Sequence, residues 1–300
     1  MSRFAKYAWI TLGYNFLVIL WGAFVRATGS GAGCGEHWPT CNGEVIPRAE
    51  AIETLIEFTH RLTSGVALIM TVVLVIIACR GFGRGHRVRR AAWTTLAFML
   101  AEALLGAGLV IFGLVADNDS VARAVVMCMH LLNTLFLLAF MALTAWWADR
   151  EGRLDLQDTD SKMLGVGLGG LFIVGISGAI SALGDTLFPA ESLIDGFYAD
   201  LDPSSHFLLR LRGLHPIFAL IVGFGIIGMA NRLRVNKPRC TQLSKILIGL
   251  IGIQIAVGFI NLGLLAPVYL QLIHLFLADL VWVIFVLLAA TALEPEAGHG

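Results

Sequence analysis

The sequence predicts an all-α integral membrane protein of eight transmembrane helices, arranged as two pseudo-symmetric four-helix bundles. Three observations predict it. The 300 residues are 57% hydrophobic and 14% charged, with mean hydropathy +0.81, against about 45–50% apolar and about 25% charged in soluble domains. Eight apolar stretches occur, each close to the ~20 residues that span a bilayer. The histidines and glycines of the first half recur in the second. Net charge is zero, and no run of charge suits a nucleic-acid partner.

The stretches run over 7–26, 55–79, 92–115, 122–147, 164–183, 210–230, 242–265 and 270–292. The first follows Arg3 and Lys6 as a signal peptide would, but its apolar run reaches Val25, so a retained helix is expected. No period-two alternation supports strands. The fifth stretch is rich in glycine (Gly165, Gly167, Gly169, Gly170, Gly175, Gly178), which suits close helix packing.

Loop charge sets the orientation. Arg80, Arg84, Arg87, Arg89 and Arg90 lie in one loop, Arg150, Arg153 and Lys162 in another, and Arg232, Arg234, Lys237 and Arg239 in a third. All three fall on one side of an eight-helix count. By the positive-inside rule that side and both termini are cytoplasmic. Loops 27–53, 114–121, 184–209 and 266–269 then face outward.

The repeat aligns Glu57-x-x-His60 with Arg212-x-x-His215, and His130 with His274. It also aligns Glu102–Gly106 with Gln254–Gly258, and Gly22-Ala23-Phe24 with Gly178-Ala179-Ile180. Two four-helix halves of the same orientation follow, related by an axis along the membrane normal. The N-terminal half is 1–150, the linker 151–163 and the C-terminal half 164–300.

His60, His130, His215 and His274 all fall in the first turn or two of even-numbered helices, near the outer face. Two histidines on facing helices of a bundle can hold a haem iron from both sides. Zinc asks for three or four protein ligands. A di-iron site asks for Glu-x-x-His twice, and it occurs once. Glu57 is the asymmetric element: an acid in one half where Arg212 stands in the other. It is a candidate base or stabiliser of developing positive charge. Arg26, Arg61, Arg123, Arg210 and Arg212 are candidate contacts for haem propionates. Cys34 and Cys41 lie in an outward loop where a disulfide can persist; a structural staple and a reducible pair are both open. Glu102 is expected to tie helices by a hydrogen bond, and Asp279 is a weaker candidate for a proton path. His37, His86, His206 and His299 have no repeat partners.

The run Gly22-Ala-Phe-Val-Arg26-Ala-Thr-Gly-Ser-Gly31-Ala-Gly-Cys34, with Cys41, Glu57-Phe-Thr-His60-Arg61, Arg212-Gly-Leu-His215-Pro and His274-Leu, resembles the haem A synthase family over nearly the whole chain. The resemblance implies oxidation of the C8 methyl group of haem O to a formyl group, giving haem A for terminal oxidases. It implies a haem b on His215 and His274, and haem O as substrate on His60 and His130, with Glu57 as the essential acid. It implies haem O synthase as haem donor, a role in cytochrome oxidase assembly and a bacterial-type inner membrane; a homo-oligomer is compatible with it. Some relatives carry a second cysteine pair between helices five and six. Residues 184–209 have none. The rival expectation is a bis-histidine b-type cytochrome that only transfers electrons.

Overall fold

A computed structural model describes residues 1–48, 51–150 and 154–295. Arg153 and His299 lie outside the described residues. Ten α-helices make up the described chain: α1 Arg3–Ala27, α2 Ile52–Gly81, α3 Arg87–Ile111, α4 Val121–Trp147, α5 Ser161–Leu187, α6 Leu193–Leu201, α7 Phe207–Arg212, α8 Leu214–Asn236, α9 Thr241–Gly263 and α10 Val268–Ala292. Among the described residues there is no strand. Eight helical stretches are long and apolar enough to cross a membrane, α7 and α8 acting as one from Phe207 to Asn236. The chain is a multi-pass membrane protein. Helices are the natural solution there, because lipid offers the backbone no hydrogen-bond partner.

Apolar stretches locate the helices well and their ends less well. Helix α2 starts at Ile52, so Glu53 and Glu57 are helical although polar. Helix α3 starts at Arg87 and stops at Ile111, where Gly113 at φ +60° turns the chain. The histidines therefore lie deeper than their apolar runs suggest. His60, His130 and His274 are the ninth, tenth and seventh residues of α2, α4 and α10. His215 is ninth in the span that opens at Phe207. At 1.5 Å per residue this is roughly 10–15 Å along each axis.

The segment between α5 and α7 also differs from expectation. It contains a helix, α6, whose cap is Ser192, accepting from the Asp195 amide. Ser192-x-x-Asp195 is the signal in the sequence, a relative of the capping box.

Packing follows a regular plan. Helix α1 lies against α2 and α4, α2 against α3, and α3 against α4. In the second half α5 lies against α7 and α8, α8 against α9, and α9 against α10. The halves meet along α4–α10, α4–α5 and α1–α10. Helices α4 and α10 are the central ones: 44% of each span is buried, against 11–33% elsewhere. Their shared core holds Leu135, Leu138, Met141, Trp282, Val283 and Val286. Trp282 donates its indole N–H to the Leu135 carbonyl at 2.7 Å, joining the halves inside the core. The fifth stretch packs partly as its glycines suggest. A Cβ at Gly167 would lie 2.5 Å from Met229 Cε, and one at Gly170 2.9 Å from Val222 Cγ1, whereas Gly165 and Gly169 face open space.

At the end of the molecule carrying the 231–241 loop, Lys237 clamps the linker. Its ammonium reaches Asp158 at 2.8 Å, Asp160 at 3.0 Å and the Ala292 carbonyl at 2.9 Å. The bond from Lys237 holds the Asp158 carboxyl below the ordinary carboxylate range. A carboxyl depressed by folding adds stability above its unfolded pKa, and that stability is lost as pH falls through the folded value. Lys237→Met should therefore lower the thermal midpoint of the detergent-solubilised protein at neutral pH. The difference from wild type should shrink as pH drops below about 4.

Candidate functional site

Each of the four histidines lies against a glycine on a neighbouring helix. A Cβ at Gly22 of α1 would stand 2.9 Å from His60 Cε1. At Gly178 of α5 it would stand 3.0 Å from His215 Cε1, and at Gly258 of α9 3.0 Å from His274 Cε1. At Gly106 of α3 the distance to His130 Cε1 is 4.0 Å. A side chain at the first three positions would push on the ring; at the fourth it would only touch it. The repeat already aligned these glycines in pairs, and that pairing was the signal for their role, which spacing alone did not reveal.

In the second half the two rings face each other. His215 and His274 have ring centres 6.3 Å apart and planes at 90°. His215 Nδ1 is 3.1 Å from the Ser177 hydroxyl, which leaves its Nε2 available. His274 Nε2 is 3.2 Å from the Gln254 amide, and its buried Nδ1 has no partner. In the first half His60 Nδ1 is also buried without a partner. His130 Nδ1 lies 3.3 Å from Glu102 Oε1, close enough for an ion pair but without hydrogen-bond alignment. Glu102 ties α3 to α4 as expected, accepting from Asn133 Nδ2 and Thr134 Oγ1. Glu102 and Gln254, aligned by the repeat, thus each touch the histidine of the next helix.

Glu57 is 3% exposed and faces the cysteine loop. Its Oε2 accepts from the Cys34 amide at 2.8 Å, and its Oε1 accepts from Arg61 Nη2 at 2.5 Å. Arg61 in turn donates to the carbonyls of His37 and Thr40 at 2.6 Å each. Thr54 donates to the Gly33 carbonyl at 2.7 Å. Gly33 packs directly on the first turn of α2, where a Cβ would lie 2.4 Å from the Glu53 carbonyl carbon. Cys34 and Cys41 are disulfide-bonded and fully buried. The first turns of α2 therefore hold the loop down with an acid and a base side by side.

Arg212, at the repeat position of Glu57, does the same work with opposite charge. It reaches Asp200 of α6 at 2.7 Å and Asp185 at 3.0 Å, and bonds the Gly196 and Phe188 carbonyls. In each half, the residue one turn before the histidine pins the covering segment. Glu57 and Arg212 share this tie and differ in the sign of the charge that makes it.

The five arginines separate accordingly. Arg61 and Arg212 are committed to these clamps. Arg26 crosses between halves, from α1 to the Ala182 carbonyl, Thr186 Oγ1 and Gln271 Oε1. Arg123 bonds the carbonyls of Ala116 and Asn118, and its buried Nε has no partner. Arg210 is exposed, with no side-chain bond among the described residues. Asp279 is 1% exposed in α10, and its Oδ2 has no partner. Of the loop histidines, His37 offers its carbonyl to Arg61, while His86 and His206 cap α3 and α7.

The family model described as cytochrome oxidase assembly protein (COX15-CtaA) matches residues 5–286. The chain belongs to this family. Heme A synthase of Bacillus mycoides is 41% identical over 114 residues, covering 38% of this chain and 37% of that protein. A Thermus thermophilus protein named Protoheme IX farnesyltransferase is 52% identical over 301 residues, covering 99% of this chain and 49% of its own length. Its counterpart in a second strain of that species is 51% identical over the same extent. The chain spans about half the length of these two Thermus relatives.

For this family member the clamp makes a direct prediction. Removing one partner of a buried ion pair costs about 3–5 kcal/mol. Glu57→Ala and Arg61→Ala should both loosen the loop, and Cys34 and Cys41 should then be reduced and alkylated faster than in wild type under a mild thiol reductant. Arg61→Lys, which keeps charge without the fork, should fall between. Unchanged alkylation rates in all three variants would remove the clamp.

Proposed function

We propose that this chain is a haem A synthase, oxidising the C8 methyl group of haem O to a formyl group and so producing haem A for terminal cytochrome oxidases. One observation carries the reading: His215 and His274 present their rings 6.3 Å apart from facing helices. Two imidazoles so placed would hold a haem iron between them. The unpartnered ring nitrogens and the glycine cradles suit the same group. His215 and His274 would hold a haem b, and His60 and His130 would hold the substrate haem O. A haem bound in either half supplies a redox-active iron.

The roles of the chain's own residues follow. Residues 1–150 form the substrate half, with the cysteine loop 27–53 as its cover. Residues 151–163 are the linker and 164–300 the haem b half. An axis along the membrane normal relates the halves, which the matched contacts α4–α5 and α1–α10 support. Ser177 orients the ring of His215, and a hydrogen bond to a ligand's second nitrogen fixes ring and tautomer. Glu102, 3.3 Å from His130 Nδ1, would orient that ring by charge. Gly22, Gly178 and Gly258 let the rings stand close to the neighbouring backbone.

Converting a methyl to a formyl group removes four electrons and adds one oxygen atom, so protons must leave the site. Glu57 is the acid we assign to accept one. Its Oε2 keeps a lone pair beyond the bond to Cys34. The Cys34–Cys41 loop that Glu57 and Arg61 hold would exclude bulk water from that half. Arg26, Arg123 and Arg210 remain the propionate contacts of this reading; Arg61 and Arg212 serve as clamps. The arginine-rich loops lie on the cytoplasmic side of a bacterial inner membrane, and the histidines lie toward the outer face.

The Bacillus relatives named Heme A synthase support the activity. The Thermus relatives are named for farnesyl transfer to protohaem IX. A farnesylated protohaem is the substrate this reading requires, so a haem O synthase is its haem donor.

The test is haem extraction from cells supplied with haem O, read as pyridine haemochromes. Wild type should yield haem A, and His60→Ala should yield none while retaining haem b. His215→Ala should lose haem b. Two haem b per chain with no haem A would instead mark an electron-transfer cytochrome.

A glycine series tests the cradles independently. Overpacking a close contact costs about 1–3 kcal/mol. Gly178→Ala and Gly258→Ala should lower haem b retention several-fold, with Gly225→Ala, whose Cβ would meet open space, near wild type. Equal loss in all three would remove the cradle argument.

A further inference from the structure

The α2–α3 connection ends in a cationic cavity that the chemistry above does not use. Arg84, Gly85, Arg89, Arg90, Trp93 and Thr94 line a shallow space of about 460 Å³. Its three guanidinium groups have no hydrogen bond or ion pair with any described residue. Arg87, in the same connection, turns inward to the Arg150 carbonyl, Glu294 and the Trp147 ring. Lys237 and Arg239, from the 231–241 segment, are spent on Asp158, Asp160 and the Ala292 carbonyl. Three unpaired guanidinium groups therefore share one concavity.

Below that cavity the helix faces are apolar and open. On α2, Ile76, Val72 and Ile69 recur at helical spacing, and Ile69 is 64% exposed. On α3, Trp93, Leu100 and Leu104 form a matching stripe, and Leu104 is 67% exposed. The two helices pack side by side, so the seam between them is a groove leading away from the arginines, and both stripes lie open. An indole at the mouth of such a groove suits the membrane–water interface.

We propose that this site binds an anionic phospholipid, its phosphate on Arg84, Arg89 and Arg90 and its acyl chains along the α2–α3 groove. Guanidinium forks match phosphate oxygens in pairs. Basic pockets at helix ends on the cytoplasmic side take anionic headgroups in this way. A free phosphate would use the arginines but not the apolar groove, and an acidic protein segment would leave the groove to bulk lipid. The cavity and the groove together favour a molecule with both parts. The site lies outside all four histidine pockets, so its occupant anchors the first half to the bilayer without entering the chemistry.

Native mass spectrometry of the full chain, released from nanodiscs of mixed phosphatidylglycerol and phosphatidylcholine, tests this. Wild type should retain one phosphatidylglycerol in preference to phosphatidylcholine. Each arginine near the membrane surface contributes about a fivefold factor, so Arg84→Gln/Arg89→Gln/Arg90→Gln should lose the adduct almost entirely. Arg232→Gln/Arg234→Gln, which removes two positive charges elsewhere, should keep it. Trp93→Ala should weaken retention while leaving every charge in place. A circular dichroism spectrum like that of wild type qualifies each variant as folded. Equal retention in the two arginine variants would overturn the proposal, as would an adduct displaced by millimolar inorganic phosphate as readily as by added phosphatidylglycerol.

Discussion

The close approach of an imidazole to a neighbouring helix backbone is the constraint on which the site depends. A histidine ring a few ångströms from the next helix requires that helix to carry no side chain there. Gly22, Gly178 and Gly258 meet that requirement, and Gly106 does so with more room. The cost is about 1 kcal/mol of helix propensity per glycine. The surrounding packing offsets it, above all along α4 and α10, where Trp282 bonds across to Leu135. Helix pairing, ring position and the facing of His215 with His274 are thus parts of one arrangement.

The second organising device is a pair of clamps of opposite sign. Glu57 with Arg61 pins the disulfide loop, and Arg212 with Asp185 and Asp200 pins α6. Both sit one helical turn before a histidine, so the cover of each half and the ring beneath it are set by the same few residues. A charge at that position reads at first as chemistry. Its geometry makes it a tie to the loop in both halves, and any catalytic duty of Glu57 is added to that tie.

Much of this was legible in the sequence, for physical reasons. Lipid imposes length and apolarity on every span, so all eight were readable, and the repeat paired His60 with His215 and His130 with His274. Helix ends were less legible because polar residues such as Glu53 extend α2 beyond its apolar run. Helix α6 was missed because its apolar positions lie in a segment dense in acids, although Ser192 and Asp195 carry the capping signal. The glycine cradles needed a third dimension: the alignment shows that Gly22 and Gly178 correspond, but not that an imidazole lies on each. The arginines were hardest to assign, because a guanidinium at a helix end looks the same in sequence whether it meets a carbonyl, a carboxylate or a ligand.

Arg26 has one more implication. Its guanidinium leaves α1 and bonds the Ala182 carbonyl, Thr186 and Gln271, all in the other half. Ala182 is also the repeat position of Arg26 itself, so the stitch has no twin. The tie therefore runs in one direction: α1 is fastened to α5 and α10 at once, and among the described residues no side chain of α5 returns a hydrogen bond to α1 or α4, so a displacement of α1 would pull on two helices that carry none of the cysteine loop.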